Sequence, residues 1–305
     1  MLSLAREAKG YTQKELAARL NNSQSRLSKL ESGEVTPHEQ EIQNLVAVLA
    51  QGRDFFFQEA AATSASVSFY RKTRTLPLTM LRRCNAEMNI CRLEIERQVA
   101  GFKLGNRNLP YLPPQENGGA VSVAQKLRDS WGLAKGPIKN LTTLIEDAGC
   151  IIVEYPFPSR KLDGLSIHAE GKPPIIFLNK ELPKSRRRLS LAHELGHLIM
   201  HTNPHENVEE EAWDFAAEFL TPGAEISDQL ANLNIDRLGR LKTEWGISMQ
   251  AILQRAKKLG KISDSYHRFL WIQIAKCGYR VREPFEDVIP DETPLELEKR
   301  LKTKT

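Results

Sequence analysis

The segment HELGH, His193 to His197, sets two histidines four residues apart within the stretch RRRLSLAHELGHLIMH. At 100° per residue, side chains four apart on a helix lie about 40° from one another, so both imidazoles reach one ion. Glu194 sits beside them, one step round the helix. Two neutral imidazoles and one carboxylate hold zinc with a fourth position left for water, whose pKa falls towards ~7. A neighbouring carboxylate then serves as general base, which makes Glu194 the candidate catalytic residue and metal-assisted hydrolysis the implied chemistry. The bland alternative, histidines that are only satisfied core or surface groups, fits less well, because the helix is apolar on its other side (Leu189, Leu191, Ala192, Leu195, Leu198, Ile199) and a second helix with carboxylates follows within a dozen residues.

A third ligand is expected from the acidic helix that follows, VEEEAWDFAAEFLTP. Its inward face is set by Val208, Ala212, Phe215, Ala216 and Phe219. Measured round the helix from the centre of that face, Glu209 lies about 60–70° away, Glu211 about 90–100°, and Glu210 almost opposite. Glu209 is therefore the expected ligand with His193 and His197, and Glu211 remains the alternative. Three glutamates in a first turn also answer the helix dipole without any metal. His201 follows at a spacing that does not suit a third histidine ligand and is read as a cap or a support for a ligand.

A second constellation lies at the N-terminus. TQKELAARLNNSQSRLSKLESG, Thr12 to Gly33, has the spacing of a helix-turn-helix whose second helix enters the major groove by its N-terminal end. Thr12 with Glu15 makes a capping box, Asn21-Asn22 interrupts the pattern, and Ser23 caps the second helix. Gln24, Ser25 and Lys29 would face base edges or phosphates, and Gln13 would hold the DNA backbone. Polar residues at a helix start are commonly only solvated caps; here the whole pattern favours the DNA reading.

The elements that must position these groups follow from periodicity. Helices are expected over most of residues 1 to 50, then from Leu78 to about Leu104. Nine Lys or Arg against three Glu between Arg71 and Arg107 make the densest basic stretch, which usually means a solvated helix face. NRNLPYLPPQENGG, residues 106 to 119, reads as a linker. Beyond it, helices are expected at Val123–Trp131 and Leu141–Ala148. Strands follow at Cys150–Glu154, Gly164–His168 and Ile175–Asn179. Further helices run over Ser185–His201, Val208–Leu220, Ile235–Trp245, Ser248–Leu259 and Asp264–Ile274. The fold class is α+β: an all-α helix-turn-helix domain, then a mostly helical zincin-like domain with a small β-sheet. The expected boundaries are 1–55 for the DNA-binding domain, 56–119 for a helical connector and linker, 120–282 for the metallopeptidase domain and 283–305 for a weakly ordered charged tail. The strand Ile175–Leu178 is a candidate substrate platform by edge addition, or else a buried strand.

Composition narrows the context. At 305 residues the chain suits two or three domains, and 43 basic against 38 acidic residues permit but do not demonstrate nucleic-acid contact. No apolar run approaches a membrane span and no signal peptide is visible, so a cytoplasmic location is expected. Cys84, Cys91, Cys150 and Cys277 are scattered without a CxxC pair, as reduced thiols would be.

Taken together these residues resemble an XRE-type helix-turn-helix followed by an ImmA/IrrE-family metallopeptidase, over residues 1 to about 285. Beyond HELGH, the segments SFYRKT, NAEMNICRLEIE, WGLAKGPIKNLTTLIEDAGCII, DGLS, PPIIFLN, EEEAWDFAAEFLTP and GYRVREP look like the family's segments in the family's order. By position the resemblance makes His193, His197 and Glu209 the ligands and Glu194 the base. It implies a Zn2+ endopeptidase that cleaves a transcriptional repressor under stress or in mobile-element control; operator DNA is the second partner expected, bound by a homodimer, because one helix-turn-helix module buries too little surface for tight specific binding. Two departures stand out: Trp213 follows Ala212 where the family shows Asn or Asp, with the acid displaced to Asp214, and Thr221 replaces a methionine before Pro222. The alternative is a DNA-binding regulator whose zinc site is structural or sensory. The antitoxin half of a toxin pair, resting on the DNA-binding domain alone, is the weakest reading.

Overall fold

The computed structural model describes residues 1–58, 77–100, 109–159, 161–169, 171–203 and 205–302. The chain forms two compact units, residues 1–102 with the short stretch 169–172, and the remainder. SFYRKT and part of the basic stretch lie outside the described residues.

The first unit is all helical: α1 (Leu2–Ala8), α2 (Gln13–Arg19), α3 (Gln24–Ser32), α4 (Glu39–Leu49), a 3-10 turn at Arg53–Phe57 and the long α5 (Leu78–Val99). Local chemistry sets the helix starts. Thr12 and Glu15 form the reciprocal capping box of α2, and Ser23 Oγ accepts from Arg26 N at 3.1 Å at the start of α3. Between them Asn21 takes a left-handed turn at φ 52°. Leu4, Leu16, Leu27, Leu45 and Leu49 bury against Phe55 and Ala86 of the same unit. Arg6 fastens this core, donating to Glu31 at 2.6 Å and to the Tyr11 carbonyl at 2.9 Å.

In the second unit, α6 (Pro114–Asn117), α7 (Ala120–Ser130) and α8 (Leu141–Asp147) precede a three-stranded sheet of β1 (Ile151–Tyr155), β2 (Gly164–Ile167) and β3 (Ile175–Asn179). The strand order is β1-β3-β2, with β1 parallel and β2 antiparallel to β3. α9 (Lys184–Met200) packs on β2 and β3, and α10 (Val208–Leu220) packs on α9 and α7. Then come α11 (Gly223–Ile226), α12 (Ile235–Trp245), α13 (Met249–Lys258), α14 (Asp264–Lys276) and α15 (Glu296–Lys302). One core runs through Leu127, Ile145, Ile176, Leu195, Phe215, Leu241 and Ile252.

Two expectations are corrected. β3 is the middle strand and every residue from Ile175 to Asn179 is buried, so a substrate strand cannot add to it; its continuous apolar run is what a strand covered on both faces needs. Residues 283–296 are no loose tail, because their acids satisfy open helix N-termini. Glu283 accepts from Met249 N (2.8 Å) and Gln250 N (3.1 Å) of α13, Glu286 from Ser185 N (3.2 Å) of α9, and Glu292 from Leu141 N (3.1 Å) and Thr142 N (3.2 Å) of α8. The same acids neutralise buried cations: Lys242 pairs with Glu283 and Glu286, and Arg188 with Glu292. None of the four cysteines is in a disulfide. No helix among the described residues is long and apolar enough to cross a membrane.

Candidate metal centre and exposed recognition helix

Helix α9 carries His193 and His197 on one buried face, and Gly196 between them sets how near α10 comes. A Cβ at Gly196 would lie 2.9 Å from Phe215 Cδ1, so only glycine allows this approach of the two helices. The approach brings Glu209, in the first turn of α10, to the two imidazoles. Nε2 of His193 and Nε2 of His197 are 3.0 Å apart, and Glu209 lies 3.6 Å from the first and 3.5 Å from the second. Those distances run to Glu209 Oε2 and Oε1 respectively; donors bound tetrahedrally to zinc at about 2.0–2.1 Å stand roughly 3.3 Å from one another, so these three side chains fit one ion with little movement. Burial would raise the Glu209 carboxyl, but hydrogen bonding and charge from His193 and His197 outweigh it and hold it at about 2. That is the attraction a divalent cation would exert from the same place.

Glu194 faces the sheet. Its Oε2 accepts from Ser166 Oγ at 2.8 Å, and burial pushes its carboxyl up to about 7 against the opposing pull of His197. β2 comes close enough for this because residue 164 is glycine: a Cβ there would sit 3.1 Å from Glu194 Cγ and 3.2 Å from the Phe177 carbonyl oxygen. β2 is also an edge strand, and it runs past Glu194.

The remaining acids of α10 divide by direction. Glu210 is exposed, and Glu211 turns away from the pair to His201 Nε2 (2.9 Å) and His205 Nε2 (3.4 Å). His201, half expected as a cap, stands just past α9 with its Nδ1 3.0 Å from His197 Nδ1. Burial first, and then the neighbouring His197, pull its pKa down to about 3, so it is a neutral imidazole. A ligating histidine is normally oriented through its other nitrogen. His197 has His201 for this, whereas His193 Nδ1 is buried and finds no hydrogen-bond partner among the described residues. The ring of Trp213 lies on His193 instead, with centroids 4.0 Å apart and planes tilted by 35°. At the departure from the family pattern, position 213, the side chain thus meets His193 as a stacked ring, and Asp214 pairs with Lys258 instead. Thr221 is fully buried, its hydroxyl donating to the Ala217 carbonyl at 2.6 Å.

In the first unit Gln24, Ser25 and Lys29 are exposed along α3. Gln13 is half-buried and its amide donates to Glu31 at 2.8 Å, which ties the start of α2 to α3. Arg26 is tied to Glu41, to which it donates at 2.9 and 3.1 Å.

The Ser166 contact to Glu194, the pairing of Glu211 with His205 and the stacking of Trp213 on His193 go beyond what the sequence alone shows. A trace was present in the chain: histidines recur every fourth residue at 193, 197, 201 and 205, and Ser166 lies in the DGLS segment.

A helical unit presenting an exposed polar helix, followed by a helical unit with a small sheet and a His-His-Glu cluster, defines a DNA-binding module joined to a metallopeptidase-like domain. The family comparisons agree with this. Residues 2–55 match the helix-turn-helix model, and residues 145–257 match a peptidase family model described as the IrrE N-terminal-like domain. The chain is a fusion of an XRE-type helix-turn-helix domain with an IrrE/ImmA-like metallopeptidase-family domain. No curated protein matches it.

Proposed function

We propose that this chain is a zinc-dependent endopeptidase that cleaves a DNA-bound transcriptional regulator, with its helix-turn-helix, residues 1–55, bringing the peptidase domain, residues 120–282, to the promoter. The observation that carries the reading is the convergence of His193, His197 and Glu209 within one ion's reach, with the buried Glu194 beside them. When bound, zinc would supply a water of lowered pKa and polarise the scissile carbonyl. The protein's own groups would do the rest. Ser166 fixes one carboxylate oxygen of Glu194, leaving the other to take a proton from the attacking water and return it to the departing amine. The Trp213 ring holds the orientation of His193, and the His201 imidazole that of His197. An extended substrate would pair with β2, the edge strand that passes Glu194.

Gln24, Ser25 and Lys29 would read operator DNA, and Gln13 would brace α2 against α3 near a phosphate. One module covers too little DNA for tight specific binding, so a dimer on a two-fold site is the expected form. The test is metal content: purified protein should hold about one zinc per chain. Elemental analysis of a His193→Ala/His197→Ala variant should find it lost, and a variant that keeps its zinc would refute the site.

A further inference from the structure

We propose that His201, His205 and Glu211 form a second site for a zinc-class divalent cation, and that filling it opposes filling of the His193–His197–Glu209 site. His201 Nε2 lies 2.9 Å and His205 Nε2 3.4 Å from the same oxygen, Glu211 Oε2, and the three ligand atoms fall within 4.8 Å of one another. These spacings bracket the roughly 3.3 Å expected between tetrahedral zinc ligands. Two imidazoles and a carboxylate select zinc and its transition-metal neighbours over calcium or magnesium. The side chain of His201 is 1% exposed, which fixes one ligand in place. Those of Glu211 and His205 are 21% and 38% exposed, which gives an ion from solvent a way in and gives both groups room to close on it.

The antagonism follows from where the imidazole protons must sit. A metal on His197 Nε2 leaves that ring's proton on Nδ1, which donates to His201 Nδ1 at 3.0 Å. His201 must then carry its own proton on Nε2, where it donates to Glu211 at 2.9 Å. Every contact in this chain is satisfied when the inner site is filled and the outer one is only hydrogen-bonded. A metal on His201 Nε2 moves that proton to Nδ1, opposite the Nδ1–H of His197. Two donors then face each other at hydrogen-bond distance, and the contact breaks unless the inner metal leaves. By linkage each ion weakens the other by the same factor.

The coupling rests on the inner zinc site proposed above, whereas the outer site does not. The experiment is a zinc titration of metal-stripped full-length protein against a chromophoric chelator, with zinc counted by elemental analysis. The expected result is about two zinc ions per chain in two affinity classes, the weaker class absent from His205→Ala and Glu211→Gln. In His193→Ala the outer site should bind about fivefold or more tightly, because the His197 proton is no longer held in place. Equal zinc uptake by wild type and His205→Ala at every concentration would overturn the outer site. Unchanged outer affinity in His193→Ala would overturn the antagonism. A wild type showing only a weak class that His205→Ala removes would refute the inner zinc reading and leave the outer site standing.

Discussion

Ser166 Oγ donates to Glu194 Oε2 at 2.8 Å inside a buried contact between β2 and α9. On the proposed function, the sheet would act on the chemistry by fixing one oxygen of Glu194, the proposed base. Ser166→Ala should fold and keep its zinc while losing peptidase rate by about 10- to 150-fold, since a hydrogen bond to a charged group contributes about 1.5–3 kcal/mol. Rate and zinc content measured on one preparation check this; full activity would mean that Glu194 needs no such anchor.

The Gly196–Phe215 contact should be as sensitive as the proposed ligands. Gly196→Ala puts a methyl where the ring stands, and overpacking of this kind costs about 1–3 kcal/mol. Because α10 must move to relieve it, zinc affinity should fall together with the melting temperature. A variant that melts lower but binds zinc as before would show that the helix approach does not set the position of Glu209.

Helix α3 should behave as the reading helix. Gln24→Ala with Lys29→Ala should weaken operator binding in a mobility-shift assay, and Lys29→Ala alone should lower the salt slope of binding by about 1. Unchanged shifts on the preferred site would contradict the assignment.

Much of this architecture was legible in the chain, and the reasons are local. Capping boxes, helical periodicity and the β-branched runs marked α2, α3, α9, α10 and the three strands close to their observed limits, because in each case propensity and burial agree. What escaped depended on long-range pairing. Glu283, Glu286 and Glu292 look like solvated tail charges until the N-termini of α13, α9 and α8 are seen above them. The placement of β3 in the middle of the sheet, and the division of labour between Glu209 and Glu211, likewise depend on which neighbour packs where.

Acid should loosen the first unit through Glu41. Hydrogen bonds from Arg26 lower its carboxyl to about 2, against the resistance of partial burial. A group depressed on folding stabilises above its unfolded pKa of about 4.5 and loses that contribution as pH falls from there towards 2. Amide exchange in α3 and α4 should therefore be faster in Glu41→Gln than in wild type at pH 7, and the difference should shrink below about pH 4.5. A difference undiminished at pH 2.5 would contradict this role for the carboxylate.

The central claim is that Glu194 acts as base beside a bound zinc, and cleavage by zinc-loaded wild type and Glu194→Gln on one unfolded protein substrate, read as new N-termini by mass spectrometry, tests it most directly. Wild type should cut, stop when zinc is chelated and resume when it is returned. Glu194→Gln should keep its zinc and its DNA binding while cutting slower by about 10²–10⁴-fold. Equal cleavage by the two proteins, or none by zinc-loaded wild type, would contradict the account.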